Sequence, residues 1–127
     1  MSQAVSYRPE PGEMPERAAV PEHYKWNLTD ICRDWDDWSE AFGSLESGID
    51  RLAAFQGTLS LGAAQLLSSL TAQDEVEALM YKVWYFASLH HDEDQRDNSA
   101  NARRQQVQIL FARHAQATSW FSPELLA

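Results

Sequence analysis

The sequence predicts an all-α protein of antiparallel helices, and three observations carry that prediction. Residues 22–122 contain no proline, so the long middle lacks the strongest helix breaker. From Trp35 to Leu52 apolar residues recur at alternating steps of three and four. Residues that cap helices stand ahead of each apolar run, at Asn27, Asp34, Ser60 and Thr71.

Taken in order, Met1 to about Glu22 reads as a polar, flexible leader, because Pro9, Pro11, Pro15, Pro21 and Gly12 interrupt regular structure. Residues 23–127 read as the helical unit. Asn27 with Asp30 predicts one short helical turn. Asp34 is placed to cap a long helix, with Asp36 and Asp37 in its positive first turn. Its seam is Trp35, Trp38, Phe42, Leu45, Ile49 and Leu52, and Phe55 extends it to a stop at Gly57. Gly43 and Gly48 lower its propensity by about 1 kcal/mol each. The stripe must therefore pack against a partner.

Ser60 predicts a shorter helix through about Leu70, with Leu66, Leu67 and Leu70 on its buried side. Thr71 and Asp74 resemble a capping box and predict a new helix start. That helix carries Val76, Leu79, Met80, Val83, Trp84, Ala87 and Leu89, with Tyr81, Tyr85 and Phe86 widening its apolar surface. It frays at His90-His91-Asp92-Glu93-Asp94. A last long helix is expected from about Asn98 to Phe121, with Val107, Leu110, Phe111, His114, Thr118 and Phe121 on one side. Ser122-Pro123-Glu124 then signals a further helix start close to Ala127, so the sequence is expected to be part of a longer one.

The net charge is -9 and the pI about 4.7. Nucleic-acid binding is not expected, since it needs clustered Lys and Arg to displace counterions from phosphate. Only Lys25 and Lys82 are lysines, and Arg103, Arg104 and Arg113 read as a solvated helix face. The acidic surface could favour cationic peptides, though solubility alone accounts for it. No apolar run approaches the roughly 20 residues of a membrane span, so no membrane partner is expected. No basic region followed by an apolar run opens the chain, and the lone Cys32 can form no internal disulfide. Both fit a cytoplasmic location.

Candidate chemistry is sparse. A zinc peptidase helix needs two His at i and i+4 with Glu beside the first, and none of His23, His90, His91 and His114 form that pair. His90 with Asp94 could lend two metal ligands, and Asp92 or Glu93 a third. A solvated, charged helix end explains the same residues. His114 reads as a hydrogen-bonded core histidine. The acids Asp34, Asp36 and Asp37 are accounted for by their helix start, and nothing near Cys32 would activate a thiolate. Trp26, Trp35, Trp38, Trp84 and Trp120 read as core aromatics before they read as a peptide groove. No catalytic, cofactor or metal residue is assigned, and substrate-contacting residues stay unknown.

Two stretches carry a family resemblance. Tyr24-Lys25-Trp26-Asn27-Leu28-Thr29-Asp30 resembles the "Y-x-W-D-L-T-D" opening of oligoendopeptidase F proteins. Tyr81 to Asp94, with Ala87-Ser88-Leu89 and Asp92-Glu93-Asp94, resembles their "Y-x-Y-A-S-L-x-x-D-E-D" helix. Leu52 to Gly57 and Ser122 to Leu126 are similar as well, so the resemblance covers about residues 17 to 127. Asn27 replaces the family's usual Asp and keeps its capping chemistry.

This resemblance implies a large, mostly helical, cytoplasmic zinc metallopeptidase that cleaves short peptides in a deep channel. Its N-terminal helices would form a lobe that walls or covers that channel. The zinc and the catalytic groups would come from an H-E-x-x-H helix absent from these residues, leaving this chain inactive alone and without bound zinc. Peptides would be engaged through that other domain, and open apolar faces could drive self-association. Two alternatives stay open: a self-contained helical interaction module, and a small metal-binding protein using His90 to Asp94.

Overall fold

The computed structural model describes residues 7–127, and the first six residues of the leader lie outside them. Four helices follow three single 3-10 turns at Arg17–Ala19, Glu22–Tyr24 and Leu28–Asp30. They are α1 (Trp35–Ala53), α2 (Ala63–Glu93), α3 (Asn98–Thr118) and the short α4 (Phe121–Leu126), with a further 3-10 turn at Leu59–Leu61. The described residues contain no strand.

The caps explain where the helices begin. The Asn27 side chain accepts from the Thr29 N–H at 3.3 Å and starts the turn before α1. Asp34 accepts from the Asp37 N–H at 2.8 Å, and Asp37 reaches back to the Arg33 N–H at 2.9 Å. Asp34 thus satisfies one orphan donor of the helix end, and Asp37 fixes the backbone just ahead of the cap. At α3 the cap is Asp97, which accepts from the Ser99 and Ala100 N–H groups at 2.9 and 3.0 Å.

Contacts between each pair of long helices fix the packing. Trp38 and Gly48 of α1 meet Val83 and Val76 of α2, so the two helices run antiparallel. Trp84 of α2 packs against Phe111 of α3 with the rings tilted by 43°, and the four-residue connection from Asp94 to Asp97 turns α3 back antiparallel to α2. Trp35 and Asp50 of α1 face Arg103 and Arg113, so α1 and α3 run parallel. The result is an up-down-up bundle around Trp38, Leu45, Ile49, Leu52, Val76, Val83, Phe86 and Val107, all buried. The indole Nε1 of Trp38 donates to the Val83 carbonyl at 2.9 Å, which satisfies its one polar atom inside the core.

Several expectations are corrected. The two helices expected over Ser60–Leu70 and from Thr71 onward are one, α2, beginning at Ala63 after Gly62 at φ 138°. A capping box starts a new helix only where the backbone leaves helical geometry ahead of it. Between Ala63 and Glu93 neither Gly nor Pro invites that departure. Leu67 and Leu70, expected inside, are 66% and 42% exposed, and Ser69 is buried between them. Helix α1 stops at Ala53 rather than at Gly57, though Gly57 supplies the φ of 83° that the chain reversal needs.

At the other end, α3 stops at Thr118 and α4 starts at Phe121. Ser122 lies inside α4 rather than capping it, and no side chain caps that end. Instead the Glu124 carboxylate accepts from the Gly57 N–H at 2.9 Å and from the Leu59 N–H at 3.3 Å. This ties α4 to the connection between α1 and α2.

Candidate functional site

Two adjoining clefts lie between the N-terminal turns and the C-terminal end of α2. The larger, about 750 Å³, is lined by Met14, Val20, Tyr24 and Trp26 on one side and by Glu93 and Arg96 on the other. The smaller, about 310 Å³, lies among Trp26, Asn27, Arg33, Trp35, Phe86 and His90. Arg17 and Trp26 line both. The turns sit here because ion pairs bring them from far along the sequence. Arg96 donates two hydrogen bonds to Glu16, each 2.6 Å, and Arg17 meets Glu93 at 2.7 Å.

The electrostatics differ between the two pairs. The hydrogen bonds from Arg96 hold the Glu16 carboxyl below the ordinary glutamate range, in a pair that is mostly exposed. Asp94 is lowered for the same reason, since Arg96 also bonds to it at 3.1 Å. Glu93 is the buried member of the group, with its side chain 6% exposed. Arg17 approaches it as an ion pair, while neither Glu93 oxygen has a hydrogen-bond partner among the described residues.

The structure divides the residues singled out from the sequence. His90 does not share a site with Asp94: its ring packs 4.5 Å from Phe86 and 5.0 Å from Trp35, while Asp94 turns to Arg96. Burial lowers the His90 pKa. Among the described residues no group of three His, Cys, Asp or Glu could hold a metal ion, so the residues present do not fit a zinc site. His114 is half-buried between α2 and α3 with its Nε2 buried and unbonded, rather than hydrogen-bonded, and burial lowers its pKa too. Cys32 is buried in the core, which pushes its thiol up and away from thiolate chemistry.

The tryptophans separate as well. Trp38 is core, while Trp26 is 57% exposed and forms a wall of both clefts. Arg103 is no simple solvated residue, since its guanidinium lies 4.2 Å over the Trp35 ring. The pairs Glu16–Arg96 and Arg17–Glu93 had no local sequence signal, being 80 and 76 residues apart.

No family model matches the chain, and no solved structure matches it. Curated relatives do. The chain is 26% identical over 115 residues to Oligopeptidase PepF of Bacillus subtilis, covering 91% of this chain. It is 26% identical over 110 residues to Group B oligopeptidase PepB of Streptococcus agalactiae and 21% identical over 111 residues to the plasmid Oligoendopeptidase F of Lactococcus lactis subsp. cremoris, each covering 87% of it. The chain is similar to proteins named as oligopeptidases and oligoendopeptidase F.

It spans only 17% to 18% of the length of these relatives. The similarity therefore concerns a helical stretch, and no H-E-x-x-H occurs in the 127 residues of this chain. No helix among the described residues is long and apolar enough to cross a membrane.

Proposed function

We propose that this chain is the N-terminal helical lobe of an oligoendopeptidase F-like zinc metallopeptidase of the cytoplasm, where it walls or covers the channel that admits short peptides. The observation that carries the reading is the similarity to oligopeptidases over nearly the whole of this chain and a sixth of theirs. The clefts around Trp26 and Glu93 agree with a surface that handles peptides, because they pair an aromatic wall with fixed charges. In this reading the zinc and the peptide-bond chemistry belong to another domain, and the lobe contributes access control.

The test is a chimera of PepF from Bacillus subtilis in which this chain replaces the matching 115 residues. The expected chimera melts cooperatively, cleaves a quenched fluorescent nonapeptide within about tenfold of the parent rate, and leaves a long unfolded protein uncut. A folded chimera that cleaves neither substrate, or both alike, overturns the reading.

A self-contained interaction module is the second reading, favoured by the continuous core that the three long helices share. It predicts that the isolated chain is monodisperse at every salt concentration and that the chimera is inactive. Stoichiometric zinc uptake in equilibrium dialysis would instead point to a metal-binding protein.

A further inference from the structure

Helix α2 is apolar on two opposite faces, and the bundle uses only one of them. At about 3.6 residues per turn, Ser69, Val76, Val83 and Ala87 form one line along the helix. All four are buried, and Val76, Val83 and Ala87 belong to the core shared with α1 and α3. The opposite line is Leu67, Leu70, Asp74, Ala78, Tyr81 and Tyr85, and every one of these is exposed. Leu67, Tyr81 and Tyr85 are 66%, 60% and 49% exposed, and the two tyrosine rings already stack on each other at 6.0 Å. The line runs for about 27 Å, the length of five helical turns.

Its charge is one-sided. Asp74 sits within the line, Glu75 borders one edge and Glu77 the other. Among the described residues none of the three forms an ion pair, whereas the nearby cation Lys82 is drawn away to Asp37 at 3.9 Å. A second copy of this chain would set these acids against their own kind, under a net charge of -9 on each copy. An amphipathic helix with an apolar stripe flanked by Lys or Arg would cover the leucines and tyrosines and pair the acids. We infer that the outer face of α2 is the docking site of such a basic amphipathic helix, supplied by the remainder of the oligopeptidase-like polypeptide. The source of the helix rests on the lobe reading, and the chemistry of the face does not.

The chemistry is tested on the isolated chain by fluorescence anisotropy with two designed helical peptides of about 20 residues. Both carry the same leucine stripe, one flanked by lysines and the other by glutamates. The lysine-flanked peptide is expected to bind at least about tenfold more tightly. The double variant Asp74→Lys with Glu75→Lys alters only exposed side chains and should reverse that preference. Leu67→Gln with Tyr85→Gln should abolish binding of both peptides without moving the melting temperature of the isolated chain. Equal binding of the two peptides, a preference that the charge reversal leaves alone, or a dimer at low salt that Leu67→Gln with Tyr85→Gln removes would each overturn the inference.

The source is tested in the PepF chimera, where docking is intramolecular. There Leu67→Gln with Tyr85→Gln should lower the melting temperature by several degrees while leaving the isolated chain unchanged. An unchanged chimera overturns the assigned source. An inactive chimera sinks the lobe reading and the source together, while the peptide measurements still decide whether the face takes a basic helix.

Discussion

At the scale of single residues, the two glycines of α1 look alike in sequence and differ in the fold. Both sit in a helix, where Gly lowers stability by about 1 kcal/mol relative to Ala. A Cβ at Gly43 would meet nothing within 4 Å, but one at Gly48 would lie 2.8 Å from Cγ2 of Val76. Valine is branched at Cβ and cannot swing its methyl away cheaply, so α1 and α2 would have to separate. Gly43→Ala should therefore raise stability by about 0.5 to 1 kcal/mol. Gly48→Ala should lower it by about 1 to 2 kcal/mol, the overpacking exceeding the propensity gain. Urea melts of both variants check this, and equal stabilisation would mean that the helices do not approach so closely. Sequence reading reached the cost of both glycines and the need for a packing partner. It could not tell which glycine the partner touched, because that depends on Val76, 28 residues away.

Among the elements, what was legible were the signals that act within a turn or two. Asn27 and Asp34 cap as their spacing implies, and the seam from Trp38 to Leu52 faces the core. What misled was a motif out of context. Thr71 and Asp74 have capping-box spacing, but the backbone runs straight through them as part of a helix of 31 residues. Leu67 and Leu70 misled similarly, since apolar periodicity identifies a face without saying whether anything covers it.

The short α4 shows the converse. A six-residue helix is too short to hold itself together in water, so its stability must come from outside it. Glu124 provides that link through the Gly57 and Leu59 amides. Glu124→Ala should lower stability by about 1 kcal/mol. It should also speed hydrogen exchange at the Gly57 and Leu59 amides while leaving the α2 core amides protected. Unchanged exchange at both amides would show that α4 is held by its apolar contacts instead.

For the whole molecule, the balance of charge against exposed apolar surface decides how the chain behaves in solution. Leu61, Leu67, Ile109 and Leu126 are each at least 66% exposed, so apolar side chains stand on the outside of the molecule. Against this stands a net charge of -9, which keeps copies apart while the field between them is unscreened. The Debye length falls from roughly 20 Å near 0.02 M salt to about 4 Å at 0.5 M, so added salt removes the repulsion and leaves apolar attraction intact. The isolated chain should therefore sediment as a monomer at about 0.02 M salt and as a mixture of larger species at about 0.5 M. Replacing Leu67 by Gln should weaken that association and leave the helical circular dichroism unchanged. The direction of the salt effect is the informative part. Association driven by ion pairs between copies would fade as salt rises, whereas association through bare helix faces must grow. A chain that stays monomeric throughout would show that these leucines are too dispersed to act together, which is the behaviour the interaction-module reading requires.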